Sequence, residues 1–329
     1  MPQSVNTASR PADRSEAEPA ARRVSTTRWL VYRAWEGLWR LLVQIMRALP
    51  PLWFMRLFTP VLRCLALCAV SRRRIVNVMD AAFGDAYTPA AKRGLARGVQ
   101  RRIAENILDC LVQMGYPERL SGVLEVQGRE HMEAALAKGR GAIALSFHLG
   151  NFALLTAAMG AAGYPVHCLM RFLDDERLMN LVLHHSRSFF TELIPSLPRR
   201  EAVKRILGIL RDNGTIVMLA DNLKRGELET TLFGQPVRTA RGAVSLALRT
   251  RAPVLPVYLV RGYSGRLRLI IEPEMEMERT GDLGADVAAN TDRIMRLLED
   301  LVRRYPDQWY WLTVDLPRRD GRPSPKDVA

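Results

Sequence analysis

Gly141-Ala-Ile-Ala-Leu-Ser-Phe-His148-Leu-Gly-Asn151-Phe-Ala153-Leu-Leu155 reads as a buried strand, a short polar turn and the opening of an apolar helix. Gly141 to Ser146 is small and aliphatic, bounded by Lys138-Gly139-Arg140 before it and by the turn after it. That is the pattern of a central strand covered on both faces. His148 falls just past the strand's carboxyl end. Gly150 and Asn151 follow, and a helix begins near Asn151 or Phe152 and runs to about Gly160. In α/β sheets, ligands gather beyond the carboxyl ends of the strands, where helix N-termini point free N–H groups. An imidazole delivered there can take a proton near neutral pH. A histidine that merely satisfies a local backbone hydrogen bond is the other reading of that position.

Downstream, strands and helices alternate. Strands are predicted at Tyr164 to Met170, Thr215 to Ala220, Val254 to Val260 and Leu267 to Ile271. Helices are predicted at Leu173 to Phe190, Glu201 to Asp212, Ala240 to Arg249 and Asp286 to Arg303. This alternation gives an α/β fold, with a central, mostly parallel sheet covered by helices. Upstream, Glu130 to Lys138 reads as a short helix. Thr88 to Gly115 reads as a long amphipathic one, with Leu95, Val99, Ile103, Ile107 and Leu111 as its apolar stripe. Thr88 is its expected cap and Pro89 its first residue. Lys92, Arg93, Arg97, Arg101 and Arg102 are placed mostly off the stripe, on a solvated face.

Residues 1–25 lack any hydrophobic period and are expected to be a disordered lead-in without a signal peptide's apolar core. Residues 26–70 are expected to be amphipathic, membrane-associating helices. Four of the chain's 6 tryptophans lie there, interleaved with arginines, and no run of about 20 uncharged apolar residues accompanies them. Ser71-Arg72-Arg73-Arg74 follows, suited to anionic headgroups. Residues 71–317 form the α/β domain, and 318–329 a loose tail.

The 329 residues carry a net charge of +14, and the pI is about 10.3. Such a surface attracts nucleic acid, anionic lipid or an acidic protein. No zinc-ligand spacing, RNP-like aromatic run or helix-turn-helix is evident, which argues against nucleic acid. Cys64, Cys68, Cys110 and Cys168 form neither a disulfide framework nor a metal set and are expected to be small buried residues.

Three predicted strands end in His148, Arg171 and Asp221. The segment after Asp221 reads as a loop that carries Lys224 and Arg225, then Arg238, and continues to Arg241 and Gly242 at the opening of a helix. Arginines and a helix N-terminus suit a phosphate or a developing oxyanion.

Over residues 70–315 the chain resembles the lysophospholipid acyltransferase superfamily, and within it the bacterial lipid A (lauroyl/myristoyl) acyltransferases and their relatives that acylate phosphatidylinositol mannosides. The likeness rests on Arg74-Ile-Val-Asn77, His148-x-Gly150-Asn151, Arg171, Ala220-Asp221, Phe233-Gly234, Arg241-Gly242-Ala243, Ala252-Pro253-Val-Leu-Pro256 and Pro306-x-Gln308-Trp309-x-Trp311, in that order. It implies transfer of a fatty acyl chain from an acyl carrier protein or acyl-coenzyme A thioester to a hydroxyl or amine of a lipid-like acceptor. It further implies a peripheral location on the cytoplasmic face of a bacterial inner membrane, as a monomer, with no cofactor beyond the thioester co-substrate.

By the same likeness His148 is the general base. Asn151, Arg171, Arg238, Arg241 and Gly242 bind substrate, and backbone donors at the helix start join Arg171 in holding the oxyanion. The family's pattern also places an acid five residues after the histidine, where this chain has Ala153. Two repairs are open: Asp221 orients His148 from the neighbouring strand end, or the acceptor is an amine that needs less help. Without either, the chain is a catalytically impaired acyltransferase fold that binds lipid or acyl carrier protein.

Overall fold

The computed structural model describes residues 49–316 except 117, 171–178, 180–190, 224–225 and 315, together with isolated positions between 33 and 48. The chain divides into Met1–Ala48 and Leu49–Ala329, and the architecture below belongs to the second unit. The expected lead-in, the expected tail, Arg171 and the expected helix from Leu173 fall wholly or almost wholly outside the described residues.

Three helices open this unit: α1 (Pro51–Ala69), α2 (Arg72–Phe83) and α3 (Pro89–Gly115). Next come α4 (Arg119–Val123), β1 (Leu124–Gln127), α5 (Arg129–Leu136), β2 (Ala142–Ser146), α6 (Leu155–Ala161) and β3 (Val166–Met170). After them lie β4 (Thr191–Pro195), α7 (Arg199–Arg211), β5 (Thr215–Leu219), β6 (Leu228–Leu232) and β7 (Gln235–Thr239). The unit ends with α8 (Gly242–Thr250), β8 (Val254–Arg261), β9 (Leu267–Ile271) and α9 (Leu283–Arg304). Seven strands form one sheet in the order β1-β9-β8-β2-β5-β3-β4. Among the described residues of this sheet, only the β8–β9 pair is antiparallel. The mostly parallel α/β sheet read from the sequence is therefore the fold.

β2 is central and buried along its whole length. Its side chains alternate between two cores. Ile143 and Leu145 join the core that includes residues of α2, α8 and α9; Ala142 and Ala144 join the one that includes residues of α5 and α6. A strand clad on both faces must be apolar throughout, and this one is, up to Ser146.

Caps fix the helix starts. The Thr88 hydroxyl accepts from the Ala91 N–H at 3.2 Å, with Pro89 behind it. The Asp282 carboxylate accepts from the N–H groups of Gly284 and Ala285. The stripe expected on α3 is only half right. Val99 and Leu111 are buried, but Ile107 is 45% exposed, and Ala96, Ala104 and Leu108 do the packing. A strict period of four drifts about 40° per step around a helix of 3.6 residues per turn, so the two ends of such a stripe face different ways. Lys92, expected near solvent, is buried instead and donates to Asp80 and to the Gly84 carbonyl, each at 2.6 Å.

Two of the cysteines also depart from expectation. Cys64 and Cys68 are exposed on α1 rather than buried. The reason is that the outer face of α1 is itself apolar and uncovered. Trp53, Leu57, Val61 and Leu65, spaced four apart, are 64%, 57%, 49% and 58% exposed. No single described helix is long and apolar enough to cross a membrane. Trp53–Ala69 and Arg72–Ala86, bent by 67°, meet that measure only together.

The turn after β2 is wedged against β8. Gly150 has φ +61, and a Cβ there would run into the Leu259 carbonyl. The neighbouring Asn151 N–H donates to that same carbonyl at 2.7 Å. Gly150→Ala is expected to cost at least about 2 kcal/mol, from left-handed strain added to a backbone clash. Urea unfolding checks this; a variant as stable as the parent contradicts it.

Candidate functional site

β2 and β5 run parallel with Ser146 opposite Leu219. Two residues farther along, each strand has just ended, and the same register sets His148 beside Asp221. Asp221 is fully buried. Its Oδ1 lies 2.8 Å from His148 Nδ1, and the His148 backbone N–H donates to both oxygens at 3.1 and 2.9 Å. The Trp309 indole N–H donates to Oδ2 at 3.0 Å. A carboxylate only accepts, so Nδ1 must carry the proton and Nε2 the free lone pair. That is the tautomer a general base needs. The imidazole is partly exposed, at 24% of its side-chain surface, and the Phe152 ring meets it edge-on at 4.7 Å.

Position 153, where the resemblance put an orienting acid, is an exposed alanine in the turn before α6. The carboxylate on His148 comes from the neighbouring strand instead. Of the two repairs open from the sequence, the geometry matches the one that uses Asp221.

The other expected site residues are placed differently. Asn151 is buried, and its side chain is committed to α3: its amide donates to the Asn106 carbonyl at 3.3 Å and to Asp109 Oδ2 at 3.2 Å. Backbone donors at the helix start are expected to hold the oxyanion; of the N–H groups near it, those of Gly150 and Asn151 are given to the carbonyls of Gln308 and Leu259. Arg238 is exposed on β7, opposite Glu229 of β6. This β6–β7 hairpin occupies a segment read from the sequence as a loop; its turn residues Phe233 and Gly234 both have positive φ. Arg241, at the cap of α8, is exposed and paired with Glu227 at 3.3 Å.

Arg241 and Gly242 do lie on the wall of a cavity of about 960 Å³ between the sheet, α7 and α8, lined by Leu169, Met218, Ala202, Ile206, Ala243 and Leu246 among others. Ala220 and Asn222, the neighbours of Asp221, line it too, whereas His148 does not. The cavity wall therefore reaches the end of β5, although neither Asp221 nor His148 lines it.

Behind the turn is a polar knot with no signal in the local sequence pattern. The Asn106 amide donates to the Gly150 carbonyl at 2.8 Å. Asp109 pairs with Arg261 at the end of β8, and Glu105 pairs with Arg102, which also reaches Asp307 at 3.1 Å. Burial pushes the Asp109 carboxyl up to about 6, against the lowering influence of Arg261 and Asn151.

A partly exposed imidazole held by a fully buried carboxylate thus stands at the rim of a mostly parallel sheet. The chain belongs to the bacterial lipid A biosynthesis acyltransferase family, whose profile matches residues 22–316. It is 27% identical, over 197 residues, to a phosphatidylinositol mannoside acyltransferase of Mycolicibacterium smegmatis, covering 59% of this chain and 62% of that protein. It is 26% identical over 190 residues to the Mycobacterium tuberculosis protein of the same name, covering 57% and 58%. The match thus spans about three-fifths of the length of these relatives.

The Asp109 shift has a testable sign. A carboxyl raised by folding favours the native state most below its unfolded value near 3.8, and that contribution is lost as pH rises through about 6. The unfolding free energy of the wild type, less that of Asp109→Asn, is therefore expected to fall by up to about 3 kcal/mol between pH 4 and 7. Denaturant titrations of both proteins across that range check it; a flat difference contradicts it.

Proposed function

We propose that this protein transfers a fatty acyl chain from an acyl carrier protein or acyl-coenzyme A thioester to a hydroxyl or amine of a lipid acceptor. The observation that carries the reading is the buried Asp221 carboxylate on Nδ1 of His148. In this reading His148 Nε2 removes the acceptor's proton as its oxygen or nitrogen attacks the thioester carbonyl. Asp221 holds the ring and stabilises the imidazolium. Collapse of the tetrahedral intermediate expels the thiolate, which takes the proton back from His148. The apolar cavity beside Asp221 suits the acyl chain. The family and the names of the relatives favour a membrane glycolipid as acceptor. The +14 charge suits an acidic carrier protein as donor. Arg171 remains a candidate oxyanion donor.

His148→Ala is expected to cut transfer of labelled acyl chain into lipid to a small residual rate. Asp221→Asn is expected to slow it by about three to four orders of magnitude, because an amide turned toward Nδ1 donates and moves the imidazole proton to Nε2. Restoring the family's acid with Ala153→Glu is expected to gain nothing, since position 153 is exposed and Nδ1 is already taken. Full activity in Asp221→Asn, or a jump in Ala153→Glu, contradicts this reading.

The protein works, in this proposal, on the cytoplasmic face of a bacterial inner membrane. The exposed stripe Trp53, Leu57, Val61 and Leu65 on α1 suits insertion among headgroups. A Trp53→Ser/Leu57→Ser double variant is expected to lose most of its flotation with phosphatidylglycerol-containing vesicles while keeping its fold by circular dichroism. Undiminished flotation contradicts the assignment to α1.

A further inference from the structure

The segment Pro306 to Trp311 carried part of the family resemblance, yet the chemistry proposed above gives it no task. In the structure it lies against the turn that presents His148. The Gly150 N–H donates to the Gln308 carbonyl and the Tyr310 N–H to the His148 carbonyl, each at 2.8 Å, and Leu149 bridges to Trp309. The Gln308 side chain accepts from the Arg261 N–H at 2.8 Å and donates to the Arg261 carbonyl at 2.9 Å. The segment is thereby stitched to β8 and to the histidine turn at once. Trp309, between the two stitches, is fully buried, with its N–H on Asp221 Oδ2.

The two oxygens of Asp221 are not otherwise told apart. The His148 backbone N–H sits between them, at 3.1 and 2.9 Å, and favours neither strongly. The indole N–H takes Oδ2 alone, which leaves Oδ1 aligned on Nδ1. A hydrogen bond to a buried carboxylate is among the stronger kinds, and a tryptophan held by packing does not rotate away from it. We propose that Trp309 is a positioning residue for the acyl transfer: it fixes the Asp221 carboxylate, and through it the tautomer and direction of the His148 ring. This inference rests on the His148–Asp221 reading above and adds a residue from the far end of the chain.

Trp311 supplies the control. It is equally buried, packs against Trp309 with ring centroids 4.8 Å apart, and donates its indole N–H to the Pro306 carbonyl at 2.8 Å. Trp309→Phe and Trp311→Phe each remove one buried indole N–H from the same segment, but only the first removes a donor from Asp221.

The full chain, labelled with ¹⁵N-histidine in dodecylmaltoside micelles, is examined by NMR for the Nδ1 proton of His148, identified by its loss in His148→Ala. The wild type is expected to show a far-downfield, slowly exchanging proton. Trp309→Phe is expected to broaden or shift it and to mix the two tautomers in the ¹⁵N shifts, while Trp311→Phe leaves it in place. With palmitoyl-coenzyme A as the probe donor, kcat in Trp309→Phe is expected to fall by about tenfold to a hundredfold, the scale of one lost bond to a charged group, with KM unchanged.

Should Trp309→Phe fail to fold, a benzothienyl amino acid placed at 309 removes only the N–H and is expected to give the same spectrum. An unmoved resonance at either substitution of Trp309, or equal loss in Trp311→Phe, overturns the proposal. Absence of the downfield proton from the wild type strikes the His148–Asp221 reading itself, so the two failures are distinguishable.

Discussion

A carboxylate with no access to water faces an imidazole at the rim of a parallel sheet, and the surrounding structure is arranged to keep it there. Burying such a charge costs several kcal/mol unless its oxygens are met by donors. Here they are met by the ring, by the backbone of the same histidine and by an indole. The pairing itself comes from register. Because Ser146 faces Leu219 across two parallel strands, the residues two steps beyond must emerge together. A slip of one residue would send one of the two side chains to the opposite face of the sheet.

The turn that carries His148 is held from three directions. From β8 comes the Leu259 carbonyl, which accepts from the Asn151 N–H and leaves no room for a side chain at 150. From α3 comes Asn106, whose amide reaches the Gly150 carbonyl. From the segment after α9 come the backbone groups of Gln308 and Tyr310. Each tie satisfies a buried backbone group that would otherwise be costly, so rigidity at the site and satisfaction of the core are the same contacts. The ion pairs linking α3, Arg261 and Asp307 continue this bracing outward.

Much of this was legible in the residues. Apolar runs ending in His148 and Asp221 marked two adjacent strand ends, and buried parallel strands are the segments that advertise themselves most plainly. The resemblance supplied the family and the expectation of a histidine base, and the alanine at 153 pointed to Asp221 as its partner. The β6–β7 hairpin was missed although Leu228-Glu-Thr-Thr-Leu232 alternates and Phe233-Gly234 marks a turn. Its arginines suit a phosphate-binding loop, but Arg238 lies on the exposed face of a strand whose other face, with Val237 and Thr239, is buried. Asn151 looked like a ligand contact because it follows the histidine, but side-chain direction in a turn is decided by what packs behind it, here Asn106 and Asp109 of α3. The short edge strands β1 and β4 gave too little pattern to read. Asp109 and Arg261 carried no signal at all, since their partnership joins residues 152 positions apart.

In the proposed reaction His148 and Asp221 act as one unit. The most direct measurement is a double-mutant cycle on turnover of labelled acyl donor, comparing His148→Ala, Asp221→Asn and the two combined. The account predicts strong non-additivity, with the double variant no slower than His148→Ala alone, because a carboxylate that works through an imidazole has nothing to do once the ring is gone. Losses that multiply, each substitution slowing the other's variant by its full factor, would contradict it.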